Sequence, residues 1–176
     1  MGVRALLLIA AFEVSLRILG VNSTASIVAF SLVASGIMLE SRRDFEAVAA
    51  DLSKRGVKAQ APAALVGKSG VKHEFAFAVL EDGGKPRVVV DTELSVREVD
   101  EMKVLKFYVK VFDISPDNAI LCVCPGLGQR AKALANEYNI TVIEDEVPRN
   151  LIPKAAEMAQ KMLQGSPSPS HRPGKQ

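Results

Sequence analysis

Hydrophobic and polar residues alternate between Val71 and Leu80, as they do in an extended strand with one face on each side. One face would carry His73, Phe75, Phe77 and Val79, and the other Glu74, Ala76 and Ala78. A tight turn is predicted at 82–84, where two glycines follow an aspartate. The Val-rich run 87–92 is the second strand. This hairpin would place Asp91 and Glu93 on the same side of a strand end, where two charges are costly to bury unless they are paired or hold a metal.

Helical periodicity and capping residues predict the neighbouring elements. Ser41 followed by Asp44 is typical of a helix start, and a helix from there to Gly56 would have an apolar face. That face consists of Phe45, Val48, Ala49 and Leu52. Ser95 with Glu98 predicts the start of a second helix in the same way. From Ser41 onward we expect the order helix, three strands, helix, strand, helix, strand.

The two ends of the chain differ from this regular region. Residues 18–39 contain no charged side chain, so a membrane or targeting segment is one interpretation. The interpretation we prefer is a hydrophobic helical region over 1–40 that forms a homodimer or binds a protein partner through residues 5–39. After the α/β domain, predicted over 41–150, a helix is expected over 151–164 from Pro153. The Pro- and Ser-rich tail, 165–176, is expected to be disordered.

Composition limits the classes of function. With 48% hydrophobic and 24% charged residues, the chain of 176 residues is globular in composition. The net charge of +2 is too small to indicate nucleic-acid binding by itself, so a basic patch would have to be local. Cys122 and Cys124 lie on one side of a predicted buried strand, and we expect small buried hydrophobes in a reducing, cytoplasmic protein.

Three segments carry a resemblance to a known superfamily. They are "SGVKHEFA" at 69–76, "VVVDTEL" at 88–94 and "AKALANEYNITVIE" at 131–144. The chain resembles the restriction-endonuclease-like, PD-(D/E)-x-K superfamily, especially its small archaeal members. The resemblance implies an α/β, three-layer domain with a mixed central sheet, to which the hydrophobic N-terminal helices would be added.

The same resemblance implies a degenerate active site. The superfamily's metal-binding aspartate would fall on Ala76, its second acid on Asp91 and its lysine on Glu93. The expected function is therefore a catalytically degenerate nuclease-fold protein, without a cofactor, that serves as a nucleic-acid-binding or assembly subunit. In the alternative, Glu74 completes a carboxylate triad with Asp91 and Glu93, and the protein is an active Mg²⁺-dependent deoxyribonuclease with Asp91 and Glu74 as metal ligands.

Basic residues indicate where DNA would bind. Lys103, Lys106 and Lys110 recur at helical spacing and would lie along one face, either to follow a phosphate backbone or as an ordinary solvated face. Lys68 and Lys72 flank the hairpin and favour DNA binding. His73 is expected to be a hydrogen-bonded residue packed beside Phe75 and Phe77.

A different class of function is suggested by the segment 125–131. It fits G-x-G-x-x-A between a strand and a helix, and Glu144 ends the next strand, where an acid would bind a ribose in a dinucleotide-binding fold. The pattern is short and no second nucleotide-binding half follows it. No other small-molecule substrate is evident.

Overall fold

A computed structural model of the chain describes residues 43–165. In chain order, the helices are α1 over 43–54, α2 over Glu101–Ile114, α3 over Gln129–Glu137 and α4 over Pro148–Gly165. The strands are β1 Lys58–Gln60, β2 Ala63–Val66, β3 Lys72–Phe75, β4 Phe77–Leu80, β5 Pro86–Leu94, β6 Asn118–Cys124 and β7 Thr141–Glu144. The predictions made for 1–40, for the cap at Ser41 and for the tail beyond 165 lie outside the described residues.

The main sheet has five strands in the order β1-β4-β5-β6-β7. β1 and β5 are antiparallel to β4, whereas β6 is parallel to β5 and to β7. The expectation of an α/β chain with a mixed sheet is therefore confirmed. A separate two-stranded sheet is formed by β2 and β3.

Both faces of the main sheet are covered, because β6 is apolar on either side. Ile120, Cys122 and Cys124 belong to the hydrophobic cluster that contains residues of α1 and α4, and Ala119, Leu121 and Val123 to the cluster that contains residues of α2 and α3. Such a continuous hydrophobic run is typical of a strand buried on both faces. The prediction that Cys122 and Cys124 are buried and unpaired is confirmed. Burial, with the nearby charge of Asp91, raises the pKa of the Cys122 thiol to about 12.

The predicted continuous strand 71–80 is interrupted at Ala76, where the chain bends. As a result, Phe75 packs in the cluster on the α2 side and Phe77 in the cluster on the α1 side. The expectation that they share one face was wrong. Ala76 and Phe77 both pack on the α1 side, so the alternation between the two faces is interrupted at the bend. The β2–β3 hairpin was not predicted.

Two helix starts also differ from prediction. α2 begins at Glu101, and Asp100 is its N-cap, accepting a hydrogen bond from the Lys103 backbone N–H. Between Ser95 and Asp100 the chain is not helical. It bends at residues 96 and 97, and Val99 pairs with Leu127 in a parallel bridge. α4 begins at Pro148, upstream of Pro153, which lies inside the helix.

The early start of α4 has a local cause. Asp145 accepts a hydrogen bond from the backbone N–H of Val147 at 2.8 Å, and Asn150 Nδ2 and Lys154 Nζ donate to the same carboxylate. These contacts lower the pKa of Asp145, with the Lys154 hydrogen bond as the largest cause. A carboxylate at a helix N-terminus is favourable because the first N–H groups have no partner within the helix.

Candidate functional site

The strand-end acids predicted from the sequence face lysines of α2. Lys110 Nζ donates to Asp91 Oδ2 at 2.7 Å and to the backbone carbonyl oxygen of Glu74 at 3.0 Å. It also lies 5.5 Å from the centroid of the Phe75 ring, which is within the range of a cation–π contact. One ammonium group thus lies between a carboxylate from β5 and a carbonyl from β3.

Asp91 is partly buried, and its two carboxylate oxygens have different partners. Oδ2 accepts the hydrogen bond from Lys110 Nζ, while Oδ1 accepts a hydrogen bond from the backbone N–H of Thr92 at 3.0 Å. The Asp91 side chain is 21% exposed and the Lys110 side chain 33%. Burial raises the pKa of Asp91, and the hydrogen bond and charge of Lys110 oppose that effect only in part. Lys110 is therefore the main group that compensates the Asp91 charge.

The remaining two acids do not join Asp91. Glu93 Oε2 pairs with Lys103 Nζ at 2.9 Å, and the Glu74 residue is exposed. Across residues 43–165 there is no group of three or more acidic, histidine or cysteine side chains that could hold a metal ion. Glu74, Asp91 and Glu93 therefore do not converge as the carboxylate triad of the alternative prediction. The bend at Ala76 separates β3, which carries Glu74, from β4.

The predicted lysine stripe is divided between two environments. Lys103 and Lys110 point toward the acids of β5, so their charges are compensated. Lys106 is exposed and has no hydrogen bond or ion pair with residues of the described range. Of the two lysines near the hairpin, Lys68 Nζ donates to Ser115 Oγ at 2.5 Å, and Lys72 is exposed.

The "SGVKH" segment is explained by a carboxylate that the sequence analysis did not identify. Asp113, in the last turn of α2, accepts hydrogen bonds from the Ser69 backbone N–H at 2.8 Å and from Ser69 Oγ at 2.6 Å. Its Oδ2 also lies 2.7 Å from His73 Nε2. The Ser69 and His73 contacts lower the pKa of Asp113 to about 2, with the Ser69 hydroxyl as the largest cause.

The Asp113 cluster has the residue types of a catalytic triad but not the arrangement. In a triad the histidine lies between the nucleophile and the acid, so that it can take the proton from the hydroxyl. Here the carboxylate lies between Ser69 and His73. The cluster fastens the β2–β3 hairpin to the end of α2. The expectation that His73 is hydrogen-bonded is confirmed, but Phe77 packs on the other side of the sheet.

The side chain of Glu144, the last residue of β7, reaches the loop before α3. In a dinucleotide-binding fold the pyrophosphate would be held at this helix N-terminus. Glu144 Oε1 accepts the Leu127 backbone N–H at 2.5 Å, and its Oε2 pairs with Lys132 at 3.0 Å. The neighbouring N–H of Gly128 donates to the carbonyl oxygen of Val99. Protein groups therefore already use the N–H donors of Leu127 and Gly128, and the arrangement does not favour a nucleotide site.

Sequence reasoning identified Asp91, Glu93 and the lysines of α2 separately, but not that they pair. The sequence does not show that charged residues at a strand end contact those on a helix. The contact arises because α2 connects β5 to β6 and therefore packs over the sheet. Asp113 was missed because a single acid in the last turn of a helix is ordinary in sequence.

No helix within the described residues is long and apolar enough to cross a membrane. No protein-family model matches the chain, and no curated protein matches it. A crystal structure of AF1548, described as a protein of unknown function, is similar at a TM-score of 0.48 and 13% sequence identity. The match covers 69% of this chain and 66% of that one, slightly less than two thirds of its length. Because AF1548 has no stated function, it adds none here.

Proposed function

We propose that this chain is a catalytically degenerate, restriction-endonuclease-like protein of the cytoplasm that acts by binding, as an assembly or nucleic-acid-binding subunit. The observation that supports the proposal best is the position of Lys110, between the Asp91 carboxylate and the Glu74 carbonyl oxygen. Carboxylate and carbonyl oxygens are the ligands that hard divalent cations prefer. An ammonium group that is bound there competes with a metal for the same oxygens.

Across residues 43–165 no second acidic side chain joins Asp91 in a possible metal site, which supports the same proposal. Ala76 offers no donor atom, and Glu93 pairs with Lys103. Metal-dependent phosphodiester cleavage needs an ion that is held against the phosphate and stabilises the developing charge. Asp91 alone, already paired with Lys110, is a poor anchor for such an ion.

Nuclease assays with a metal titration test this function. We expect the purified protein not to cleave DNA or RNA with Mg²⁺ or Mn²⁺, and calorimetry to detect no Mg²⁺ binding at millimolar concentration. Cleavage by the wild-type protein that disappears in Asp91→Ala and in Glu74→Ala would overturn the proposal. That outcome would favour the Mg²⁺-dependent deoxyribonuclease with Glu74, Asp91 and Glu93 instead.

Of the two binding roles, Lys72 and Lys106 favour DNA binding, because both are exposed and neither pairs with a described residue. Lys103 and Lys110 are less suited to phosphate contacts, since their charges already compensate Glu93 and Asp91. Lys72→Glu with Lys106→Glu should weaken binding to duplex DNA and reduce its salt dependence. Unchanged affinity in the double variant would show that these two lysines do not contact the DNA, whereas no binding of duplex DNA by the wild type would leave assembly as the function.

A further inference from the structure

A cleft of about 630 Å³ lies outside the Asp91 site, because neither Asp91 nor Lys110 is among the residues that line it. It lies where the end of α1, the strand β1, the β4–β5 turn and the last turns of α4 meet. Its volume is within the range of small-molecule sites, about 300–1,000 Å³. Part of its lining is apolar. This part consists of Leu52, Val57, Val79, Leu80 and Leu163.

Three cationic side chains from three parts of the chain line the same cleft. They are Arg55 after α1, Lys58 in β1 and Arg87 in β5. Each has an acidic partner at the surface. Arg55 pairs with Asp51 within one helical turn, both 58% exposed, and Lys58 lies 3.3 Å from the fully exposed Asp82. Ion pairs of this kind contribute little stability, so an anion can replace them at small cost.

Arg87 has the most unused hydrogen-bonding capacity. Its side chain is 25% exposed, and its Nε lies 3.7 Å from Glu81 Oε1, longer than a charge-assisted hydrogen bond. The guanidinium makes no hydrogen bond to any side chain or backbone group between residues 43 and 165. A guanidinium has five N–H donors and remains charged at any physiological pH. A three-quarters-buried cation with open donors beside a cleft is an arrangement suited to an anionic ligand.

We propose that this cleft binds a phosphate monoester that carries an apolar group. Phosphate offers several charge-bearing oxygens, and Arg87, Arg55 and Lys58 supply separate cationic groups around the same opening. The apolar group would lie against Leu163 and Leu52. Glu81 and Asp82 also line the cleft, and their carboxylates would repel a phosphate. The phosphate group therefore has to displace the Glu81 carboxylate from its position beside Arg87. The proposal does not depend on whether the Asp91 site is catalytic.

Isothermal titration calorimetry of the full chain with hexyl phosphate, inorganic phosphate and hexanol tests the site. Hexyl phosphate should bind more tightly than inorganic phosphate, and hexanol should not bind detectably. Arg87→Gln should weaken hexyl phosphate binding roughly tenfold or more, because it removes a hydrogen-bonding cation. Leu163→Ala should reduce the preference for hexyl phosphate over inorganic phosphate. No binding of hexyl phosphate would overturn the proposal.

Controls separate this site from general attraction of anions. Arg149→Gln removes an exposed arginine of α4 outside the cleft and should leave affinity unchanged. If Arg87→Gln does not fold, Arg55→Gln, on the exposed end of α1, should still weaken binding several-fold. Equal losses in the Arg149 and cleft variants would overturn the site. Flotation with phosphatidic acid vesicles distinguishes a lipid headgroup from a soluble ester, since only the former would carry the protein with the vesicles in an Arg87-dependent way.

Discussion

At the scale of single residues, the chain repeatedly compensates its partly buried charges with charges of its own. Lys110 pairs with Asp91, Lys103 with Glu93, and Lys132 with Glu144. Each pairing occurs where sequence patterns indicate an external ligand, a metal at the hairpin or a nucleotide at the loop before α3. In each case the acidic residue forms an ion pair within the chain where the sequence pattern indicates a ligand site.

Lys110→Met tests the first of these pairs. Removing the ammonium leaves the partly buried Asp91 carboxylate without its cation, so we expect a loss of about 1–3 kcal/mol of stability at pH 7. The exposure of Lys110 keeps this value below that of a fully buried pair. Lys106→Met, on the same helix but exposed, should change stability by less than about 0.5 kcal/mol. Urea unfolding measures both, and equal effects would contradict the assigned role of Lys110.

The pH dependence of Lys110→Met gives a second measurement of the same pair. Burial already raises the pKa of Asp91, and loss of Lys110 should raise it further. When an acid has a higher pKa in the folded state, the folded state binds the extra proton, so stability increases as the pH falls through that range. The stability difference between the variant and the wild type should therefore shrink from pH 7 to pH 5. A constant difference would show that Asp91 does not carry the effect.

Asp113 predicts the opposite pH dependence. Its pKa is lowered to about 2, so it stabilises the folded state above its unfolded-state pKa of about 3.9 and loses that contribution as the pH falls toward 2. Asp113→Asn should be less stable than wild type at pH 6 and lose less stability between pH 4 and 2. Asp51→Asn, at an exposed helical pair, is the control and should keep the wild-type acid dependence. Urea unfolding of both variants and the wild type between pH 6 and 2 measures this difference, and an equal acid dependence in all three proteins would contradict the role of Asp113.

At the scale of elements, the β2–β3 hairpin depends on close approach to the end of α2. Gly67 lies against Asp113, and the Lys68 backbone N–H donates to the Asp113 carbonyl oxygen at 3.0 Å. A Cβ atom on Gly67 would come within 1.9 Å of Asp113 Oδ2. A side chain at position 67 would therefore collide with the Asp113 carboxylate. This contact gives a structural reason for a glycine directly before "KSGVKH".

Gly67→Ala should move the Asp113 carboxylate and weaken its bonds to Ser69 and His73. We expect a loss of about 1–3 kcal/mol, as for other substitutions that overfill a packed site. Gly83→Ala is a matched control, because a Cβ there meets nothing within 4 Å. Chemical denaturation of both variants provides the comparison. If the two behave alike, the hairpin is not fastened through Asp113.

At the scale of the whole molecule, α2 presents apolar residues on two faces. Val104 and Phe107 are buried against the sheet, while Met102 and Val109 are 55% exposed and Phe112 is 69% exposed. Together with the half-buried Leu105, these three exposed residues form an apolar stripe at positions 102, 105, 109 and 112. This is the spacing of the apolar seam between paired helices. Two copies of the chain could bury this stripe against each other.

We expect sedimentation velocity to detect a concentration-dependent dimer that Val109→Ser with Phe112→Ser disrupts. Both residues are exposed, so the double variant should remain folded. Val96→Ser removes an exposed valine, 74% accessible, outside α2 and should leave the dimer intact. A monomeric wild type would contradict this interface. A dimer that is unaffected by the double variant would indicate another contact, with the predicted interface over 5–39 as the first to test.

Local patterns predicted the elements better than their contacts. The apolar face of α1, the buried run of β6 and the hairpin turn after Asp82 follow from periodicity and turn residues. The start of α2 did not, because the Val99–Leu127 bridge overrides the signal at Ser95. Candidate acids and lysines were identified, but their pairing depends on how the chain crosses between β5 and β6. The Asp113 cluster and the Arg87 cleft arise from residues distant in sequence, so no local pattern marks them.

The bend at Ala76 affects how this chain can be compared with others. Position-by-position transfer from another hairpin assumes one period of alternation from end to end, and here the assignment of odd and even residues to the two faces reverses between Phe75 and Phe77. Alternation extended from β3 places Ala76 correctly, opposite Phe75, but misplaces Phe77 and the residues after it. Homology arguments across this hairpin therefore need separate alignments before and after the bend.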